Sequence, residues 1–354
     1  MDTTPRSNRI RIAFFGLRNA GKSTLVNAFC GQDVAIVSDV PGTTTDPVSK
    51  AMEILPLGPC LVTDTAGLDD DAGPLGAQRV EKTLEVLAAT DVAVWVGEGL
   101  ERWRDRFKVP LFEFRRGDDV EELKRKIAEL KLEERMPGLL DGLVKPGDHV
   151  TCVCPIDSAA PKGRLILPQV QVIRACLDLH ATCTVCQPAE FRDTGGLVIV
   201  DSQVFGQVRA KRMTSFSVLF AKQKGDFAEF LRGVKAVKAL KEGDTVLISE
   251  ACTHRRQCED IGSTKIPAAV MRISGRQKLN FAFSSGSTFN PEVMRSLATH
   301  AALIVHCGGC MLTRRELLHR IELAKAAKVP IVNYGLVLSA AAGMEEVGED
   351  GLVR

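Results

Sequence analysis

The sequence predicts an α/β protein of two or three domains, and three observations support this. Its 354 residues exceed the length of one typical domain. The first third alternates a strand ("RIRIAFFG"), a helix ("GKSTLVNAFCG") and a strand ("CLVTDTAG"), which is typical of a parallel sheet covered on both faces. A composition of 45% hydrophobic and 25% charged residues is that of ordinary globular domains.

The elements divide the chain into three predicted domains. The first, residues 1–135, continues through the helix "AQRVEKTLEVLAAT", the strands "DVAVWVG" and "VPLFEF", and the helix "VEELKRKIAEL". The stretch "KLEERMPGLLDGLVKPG" is interpreted as a charged linker. A small α/β domain, residues 136–213, contains the strands "DHVTCVCPI", "ATCTVC" and "GLVIVDS". A third α/β domain, residues 214–354, begins near "TSFSVLFAKQKG".

Composition excludes several function classes. A net charge of +2 argues neither for nor against nucleic acid. With two Trp and one Tyr, a base-stacking platform for nucleic acid is not expected. No apolar run reaches the roughly 18 residues that span a membrane, and no secretory segment opens the chain. We therefore expect a cytoplasmic protein without nucleic-acid or membrane partners. Its 11 cysteines should be reduced, and an odd number favours metal ligands plus bystanders over disulfides.

Residues 16–23, "GLRNAGKS", form a P-loop signature between a strand and a helix. Backbone N–H groups in such a loop bind phosphates at a helix N-terminus. Lys22 should bridge the β- and γ-phosphates, and Ser23 should bind Mg²⁺. The predicted nucleotide-contacting residues of this loop are Gly16, Asn19, Ala20, Gly21, Lys22, Ser23 and Thr24.

Two further segments complete the phosphate site. "DTAG" ends a predicted strand, so Asp64 is placed to hold Mg²⁺ through water and Gly67 to meet the γ-phosphate. "PGTTTD" supplies a threonine for Mg²⁺, with Thr44 preferred and Thr43 as the alternative. Either hydroxyl could instead bond its own backbone.

These three segments resemble the first three motifs of translation-factor-class GTPases of the TrmE-Era branch. In potassium-activated members of that branch, an Asn at the place of Asn19 helps to bind the monovalent cation. The simpler alternative is an Asn that stabilises its own turn. Leu68 stands where many GTPases have a water-orienting Gln. The resemblance implies a GTP hydrolase that uses Lys22, Asn19 and Thr44 with Mg²⁺ and K⁺.

The guanine-reading motif N-K-x-D is missing, because "NK" occurs nowhere in the chain. The stretch "VPLFEFRRGDDVEELKRKI" resembles the fifth GTPase motif, with Arg115 and Arg116 in place of Ser-Ala. One strand–helix unit is therefore inferred to be absent, and we expect slow hydrolysis with weakened guanine specificity. Asp118 or Asp119 could substitute for the missing acid, or could be a solvated pair that starts a helix.

A cysteine and histidine pattern follows two strands of the third domain. Cys252-x-His254 comes after "TVLISEA", and His306-Cys307-Gly-Gly-Cys310 comes after "AALIV". Ligand sites form at the carboxyl ends of such strands, and two glycines allow a tight turn with positive φ. The residues alone leave zinc and an iron–sulfur cluster open.

A GTPase domain followed by C-x-H and H-C-x-x-C resembles the HydF family of [FeFe]-hydrogenase maturation GTPases. Further likeness lies in "CPIDSAAPKGRLILPQVQVIR", "VDSQVFGQV" and "VPIVNYG". The resemblance implies a dimerisation domain in the middle and a [4Fe–4S] cluster held by Cys252, Cys307 and Cys310. His254 and His306 are possible ligands or only neighbours.

The resemblance also implies a role. Such a scaffold receives a diiron precursor from two radical-SAM maturases and delivers it to apo-[FeFe]-hydrogenase, while its GTPase cycle modulates partner contact. The alternatives are a GTPase that acts on RNA and a cluster-bearing electron-transfer protein. The small size and apolar strands of the middle domain also favour a homodimer.

The remaining cysteines are expected to be bystanders. Cys152 and Cys154 should share one face of a strand, whereas Cys183 and Cys186 should point to opposite faces. A second metal site formed by these pairs is therefore not expected.

Overall fold

The computed structural model describes residues 6–32, 47–70, 73–132, 137–156, 163, 165–251, 261–285, 300–344 and 346–353. The chain forms two compact units, Met1–Arg135 and Met136–Arg354. Over the described ranges, the first unit contains one sheet and the second contains two.

The sheet of the first unit has five strands among its described residues, in the order β2-β3-β1-β4-β5. These are β1 (Ile10–Gly16), β2 (Val48–Ile54), β3 (Gly58–Asp64), β4 (Val92–Val96) and β5 (Leu111–Phe114). The helices are α1 (Lys22–Cys30), α2 (Gly73–Ala89) and α3 (Val120–Ala128). All neighbouring strands are parallel except β2, which is antiparallel to β3.

Sequence analysis missed β2 because its residues are mostly half-exposed and give a weak apolar pattern. The β1 strand is a continuous apolar run because both its faces are covered. Ile12 and Phe14 pack in the core on one face of the sheet, and Ala13 and Phe15 pack in the core on the other face.

The chain passes from β4 to β5 without an α-helix. Only two short 3-10 helices, Leu100–Arg102 and Arg104–Arg106, lie between these strands. Strand β5 pairs directly with β4 and is followed by α3. This is the shortened nucleotide-binding sheet that the sequence predicts.

The second unit begins with a four-stranded parallel sheet, in the order β7-β6-β8-β9 over the described residues. The strands are β6 (His149–Val153), β7 (Thr182–Cys186), β8 (Leu197–Val200) and β9 (Met213–Ser215). Helices α4 (Leu167–Asp178) and α5 (Phe216–Lys224) pack in the core on one face, and Met344 and Val353 from the end of the chain pack in the core on the other.

Two stretches differ from their sequence interpretation. The predicted linker places Leu139, Leu140, Leu143 and Val144 in the core of this sheet, although it also contains charged residues. "TSFSVLFAKQKG" is largely helix α5, whose first turn is capped when the Ser215 hydroxyl accepts from the Val218 N–H. The proposed border between residues 213 and 214 lies inside β9.

The last sheet is also parallel, in the order β11-β10-β12-β13 over the described residues. The strands are β10 (Thr245–Glu250), β11 (Asn280–Ser285), β12 (Ala301–His306) and β13 (Ile331–Asn333). The helices are α6 (Phe227–Lys238), α7 (Ile266–Ser274), α8 (Arg314–Ala326) and α9 (Tyr334–Ala341). Ser249 pairs with His306, and His306 with Asn333, so three strands end at one edge.

Helix α9 is the most apolar of the four helices α6 to α9, because most of its residues are buried in the core around this sheet. In the part of the chain that the structure describes, no helix has both the length and the apolar character to cross a membrane.

Candidate functional site

The P-loop lies between β1 and α1 in the geometry that phosphate binding requires. Gly21 caps α1 in the left-handed region at φ 89°, and Asn19 adopts φ 58°, which Asn tolerates better than most residues. The first bond of the helix runs from the Leu25 N–H to the Gly21 carbonyl. The N–H groups of the preceding turn, including those of Ser23 and Thr24, therefore have no intrahelical acceptor and are available to an anion.

Lys22 is buried and its ammonium points back into the loop. Its Nζ donates to the Leu17 carbonyl oxygen at 2.7 Å. Burial lowers the pKa of Lys22, and the charges of Asp64 and Asp69 partly oppose this. A phosphate oxygen would be a better acceptor for this ammonium than a neutral carbonyl.

Ser23 and Asp64 meet where Mg²⁺ is predicted. The Ser23 hydroxyl donates to Asp64 Oδ2 at 2.6 Å. Asp64 is 0% exposed, and its other oxygen, Oδ1, has no hydrogen-bond partner among the described residues. Burial raises the pKa of Asp64, against the opposing effects of the Ser23 bond and the Lys22 charge. A buried carboxylate oxygen without a partner, beside a hydroxyl, fits a site for Mg²⁺ or its water.

The start of the segment after β3 is held against the P-loop by contacts that the sequence did not reveal. The Arg18 N–H donates to Asp69 Oδ1 at 2.7 Å, and the Leu68 N–H donates to the Gly16 carbonyl at 3.2 Å. A Cβ atom on Gly67 would lie 2.6 Å from Arg18 Cγ. Glycine is therefore required at position 67 by close approach.

Two predicted parts of the nucleotide site stay predictions. Thr43 and Thr44 lie outside the described residues. Asn19 is exposed at the tip of the loop, and its role in binding K⁺ is not tested by the contacts that the structure shows.

The acids considered as substitutes for the guanine-reading Asp have local roles. Asp119 caps α3 by accepting from the Glu121 N–H at 2.9 Å, and Asp118 accepts from the Arg115 N–H at 2.7 Å. Both carboxylates therefore stabilise the turn between β5 and α3, as the simpler interpretation predicts.

The cysteine turn follows β12 and approaches the end of β10. The Cys307 N–H donates to the Ser249 carbonyl at 2.9 Å, and the Ala251 N–H donates to Cys307 Sγ at 3.2 Å. Gly309 adopts φ 64°, which is the positive φ expected for the tight turn. The residue immediately before Cys252 thus contacts the sulfur of Cys307.

His306 is fully buried, and both its ring nitrogens are engaged. Nδ1 lies 2.7 Å from the Cys307 carbonyl oxygen, and Arg320 Nη1 donates to Nε2 at 3.1 Å. Because arginine can only donate, this network assigns the proton to Nδ1. Burial, with a smaller effect of Arg320, lowers the pKa of His306 to about 3. A neutral His306 positions the turn with both nitrogens and offers no lone pair to a metal.

A buried lysine lies beside the second cysteine of the turn. Lys224 Nζ donates to the carbonyl oxygens of Leu312 at 2.8 Å and Cys310 at 3.3 Å. Burial lowers the pKa of Lys224 to about 8, so the ammonium is mostly protonated at pH 7. Burial also raises the pKa of Cys310, and the Lys224 charge opposes this. The Lys224 charge therefore favours a negatively charged occupant near Cys310, against the effect of burial.

The ligand set is only partly described. Cys252 and His254 lie outside the described residues, as does Cys258. Among the side chains that the structure does describe, no group of three or more His, Cys, Asp or Glu could hold a metal ion. Two thiols on a tight turn with buried cations nearby nevertheless fit part of a site for an anionic iron–sulfur cluster.

The cysteines of the middle sheet follow the predicted faces. Cys152, Cys154 and Cys183 pack in one core, and Cys186 packs in the other. The Cys152 and Cys183 sulfurs are 3.7 Å apart, a proximity across two strands that the sequence pattern did not reveal.

Comparisons with known proteins agree with this architecture. Two models of hydrogen maturase F match the chain, its dimerization domain at residues 139–225 and its tetramerization domain at residues 228–347. A model described as a 50S ribosome-binding GTPase matches residues 11–137.

The curated relatives resemble smaller parts of the chain. The tRNA modification GTPase MnmE of Methylorubrum populi is 36% identical over 121 residues, covering 32% of this chain and 27% of the relative. That of Methylobacterium radiotolerans is 43% identical over 93 residues, covering 25% of this chain and 21% of the relative. This chain thus spans about a quarter of the length of these relatives.

A solved structure of Era with MgGDPNP and ribosomal RNA is 16% identical, with 88% of this chain and 97% of that chain covered and a TM-score of 0.28. The family assignment depends on the two hydrogen maturase F models, which together match more than half of the chain. The chain belongs to the hydrogen maturase F family.

Proposed function

We propose that this protein is a GTP-binding iron–sulfur scaffold for the maturation of [FeFe]-hydrogenase. It receives a diiron precursor from two radical-SAM maturases and delivers it to the apo-hydrogenase. The observation that carries the proposal is the 3.2 Å bond from the Ala251 N–H to Cys307 Sγ. Through this bond Ala251, the residue before the predicted ligand Cys252, contacts the sulfur of Cys307, a second predicted ligand.

Cys252, Cys307 and Cys310 would hold a [4Fe–4S] cluster through their thiolates. When bound, such a cluster has one iron without a protein thiolate, which is the position that a cargo or exogenous ligand can use. His306 would position the Cys307 carbonyl rather than bind iron, because both its nitrogens are engaged. His254 stays a possible ligand.

The nucleotide domain would bind a triphosphate with Mg²⁺ and modulate contact with the partners. Lys22 would reach the phosphates, Ser23, Asp64 and one of Thr43 and Thr44 would bind Mg²⁺, and Asn19 would help to bind K⁺. Hydrolysis would be slow and guanine specificity weak, because the chain has no N-K-x-D motif. Asp118 and Asp119, the candidate substitutes, instead stabilise the described turn after β5.

A homodimer would form through the middle sheet. Among the described strands, β7 lies at the edge of its sheet, and an unpaired edge is a template for pairing with a second copy. Leu177, Val170 and Val185 are exposed on α4 and β7. Association of two copies would cover these apolar side chains, which one domain leaves in water.

Anaerobic reconstitution with iron and sulfide tests the scaffold role. The wild type should gain the [4Fe–4S] absorption and, after incubation with the two maturases, activate apo-hydrogenase. Cys307→Ser should lose the cluster, since it removes a soft ligand, whereas Cys186→Ser should retain it as the matched control. A Cys307→Ser protein with normal iron and sulfide would contradict the ligand assignment. A fully loaded wild type that never activates the hydrogenase would instead favour electron transfer.

A further inference from the structure

Lys224 is the last residue of α5 and is 1% exposed. Its ammonium bonds the two carbonyls at Cys310 and Leu312 and lies 5.2 Å from the centre of the Phe220 ring. No carboxylate among the described residues lies within ion-pair distance of Nζ. Glu316 acts on this ammonium only as a more distant opposite charge. Burying an ammonium without a direct ion pair is costly, so this cation requires a further explanation.

A second buried cation lies near the other end of the cysteine turn. Arg320 is 2% exposed and bonds His306, the residue before Cys307. Buried positive charges therefore lie near both ends of the turn from Cys307 to Cys310, and the charge of Glu316 offsets each of them in part. Such charges favour an anionic occupant and favour it more as its negative charge increases.

We propose that Lys224 is a positioning residue that supplies the counter-charge for the cluster at Cys307 and Cys310 and raises its reduction potential. The inference rests on the proposed function. Three thiolates make the oxidised cluster anionic, and one electron adds a further negative charge. When dithionite reduces the cluster by one electron, no bond to Lys224 forms or breaks. The ammonium only stabilises the added negative charge of the reduced form.

The chain offers variants that separate charge from support of the turn. Lys224→Arg keeps the positive charge. Lys224→Gln keeps an N–H donor but removes the charge, and Lys224→Met removes both. Lys222 lies on the same helix, but its Nζ donates to the Asp350 carbonyl at 2.9 Å. Lys222→Met is therefore the matched control for losing a lysine from α5.

The experiment measures iron, sulfide and the midpoint potential of each reconstituted full-length protein at pH 7, with the EPR signal of the reduced cluster as readout. Lys224→Gln and Lys224→Met should reduce the equilibrium constant for one-electron reduction at least tenfold, or about 59 mV. Lys224→Arg and Lys222→Met should stay within a few-fold of the wild type.

Each outcome decides the matter. An intact cluster with an unchanged potential in Lys224→Gln overturns the proposal. If Gln and Met variants hold no cluster while the Arg variant does, the requirement for charge is supported. If all three variants lose it, the contact is structural and the proposal is wrong. A wild type that binds no cluster would remove the proposed function as well, which distinguishes the two failures.

Discussion

Replacing Asp64 by Asn should separate Mg²⁺ binding from folding. The side chain keeps its size and an oxygen that accepts from Ser23, but it loses the charge that an Mg²⁺ ion would need. A hydrogen bond to a charged group contributes about 1.5–3 kcal/mol. The ratio of the triphosphate affinity with Mg²⁺ to the affinity without Mg²⁺ should therefore fall at least tenfold, or about 1.4 kcal/mol.

The stability of the nucleotide-free protein should change much less. Among the described residues, Asp64 Oδ1 is buried with no hydrogen-bond partner, so the wild type already bears a desolvation cost for the charge, which the neutral amide reduces. We expect an unfolding free energy within about 1 kcal/mol of the wild type in urea.

Titration of a fluorescent GTP analogue with Mg²⁺ and with EDTA measures the effect. Asp91→Asn is the control, because Asp91 accepts from the Arg11 N–H at 2.9 Å before β4 begins, at the other end of the sheet. An Asp64→Asn protein whose affinity rises with Mg²⁺ as much as that of the wild type would refute this reasoning.

Three further predictions follow from the same domain. Gly67→Ala would place its Cβ 2.8 Å from the Arg18 backbone nitrogen, so triphosphate affinity should fall at least tenfold by the same titration. Gly206→Ala should keep the affinity, because a Cβ at Gly206 would meet open space and Gly206 does not have a positive φ. Equal losses in the two variants would contradict the steric argument. In competition against the fluorescent analogue, GTP should be preferred over ATP and ITP by less than about a hundredfold; a larger preference would mean that another element reads guanine. Burial raises the pKa of Cys60 from 9.0 to about 12, so its neutral form stabilises the fold fully below pH 9.0, and the free energy of unfolding should fall as pH rises toward 12. In Cys60→Ser the free energy of unfolding should decrease less over this pH range. An unchanged dependence on pH would contradict the assignment to Cys60.

Local chemistry made the phosphate site predictable from the sequence. The spacing of Gly21, Lys22 and Ser23 specifies a loop, a helix start and a cation within a few residues, so the motif carries its own geometry. Asp64 could be placed because an apolar run predicts the strand that ends there. The Cys307–Cys310 turn was predictable in the same way, since Gly309 allows the positive φ that the turn adopts.

Burial of weakly apolar stretches was harder to predict. Leu139 to Val144 lie in a run that also contains charged residues, and only the packing of α4 and α5 against β6 shows that these leucines belong to a core. Helix α5 has apolar residues on all sides, and such a pattern does not distinguish a buried helix from a buried strand.

The sequence by itself determined which residues can bind phosphate and which cysteines can act as soft ligands, because these properties depend on residue type and short spacing. Only the tertiary structure decided what surrounds them. Arg320 meets His306, Asp69 meets the Arg18 N–H, and Lys224 meets the carbonyl of Cys310, which is 86 residues away in the chain. Such pairs form because folding brings distant polar groups into one low-dielectric region where each must find a partner, and no local pattern records which partner that is.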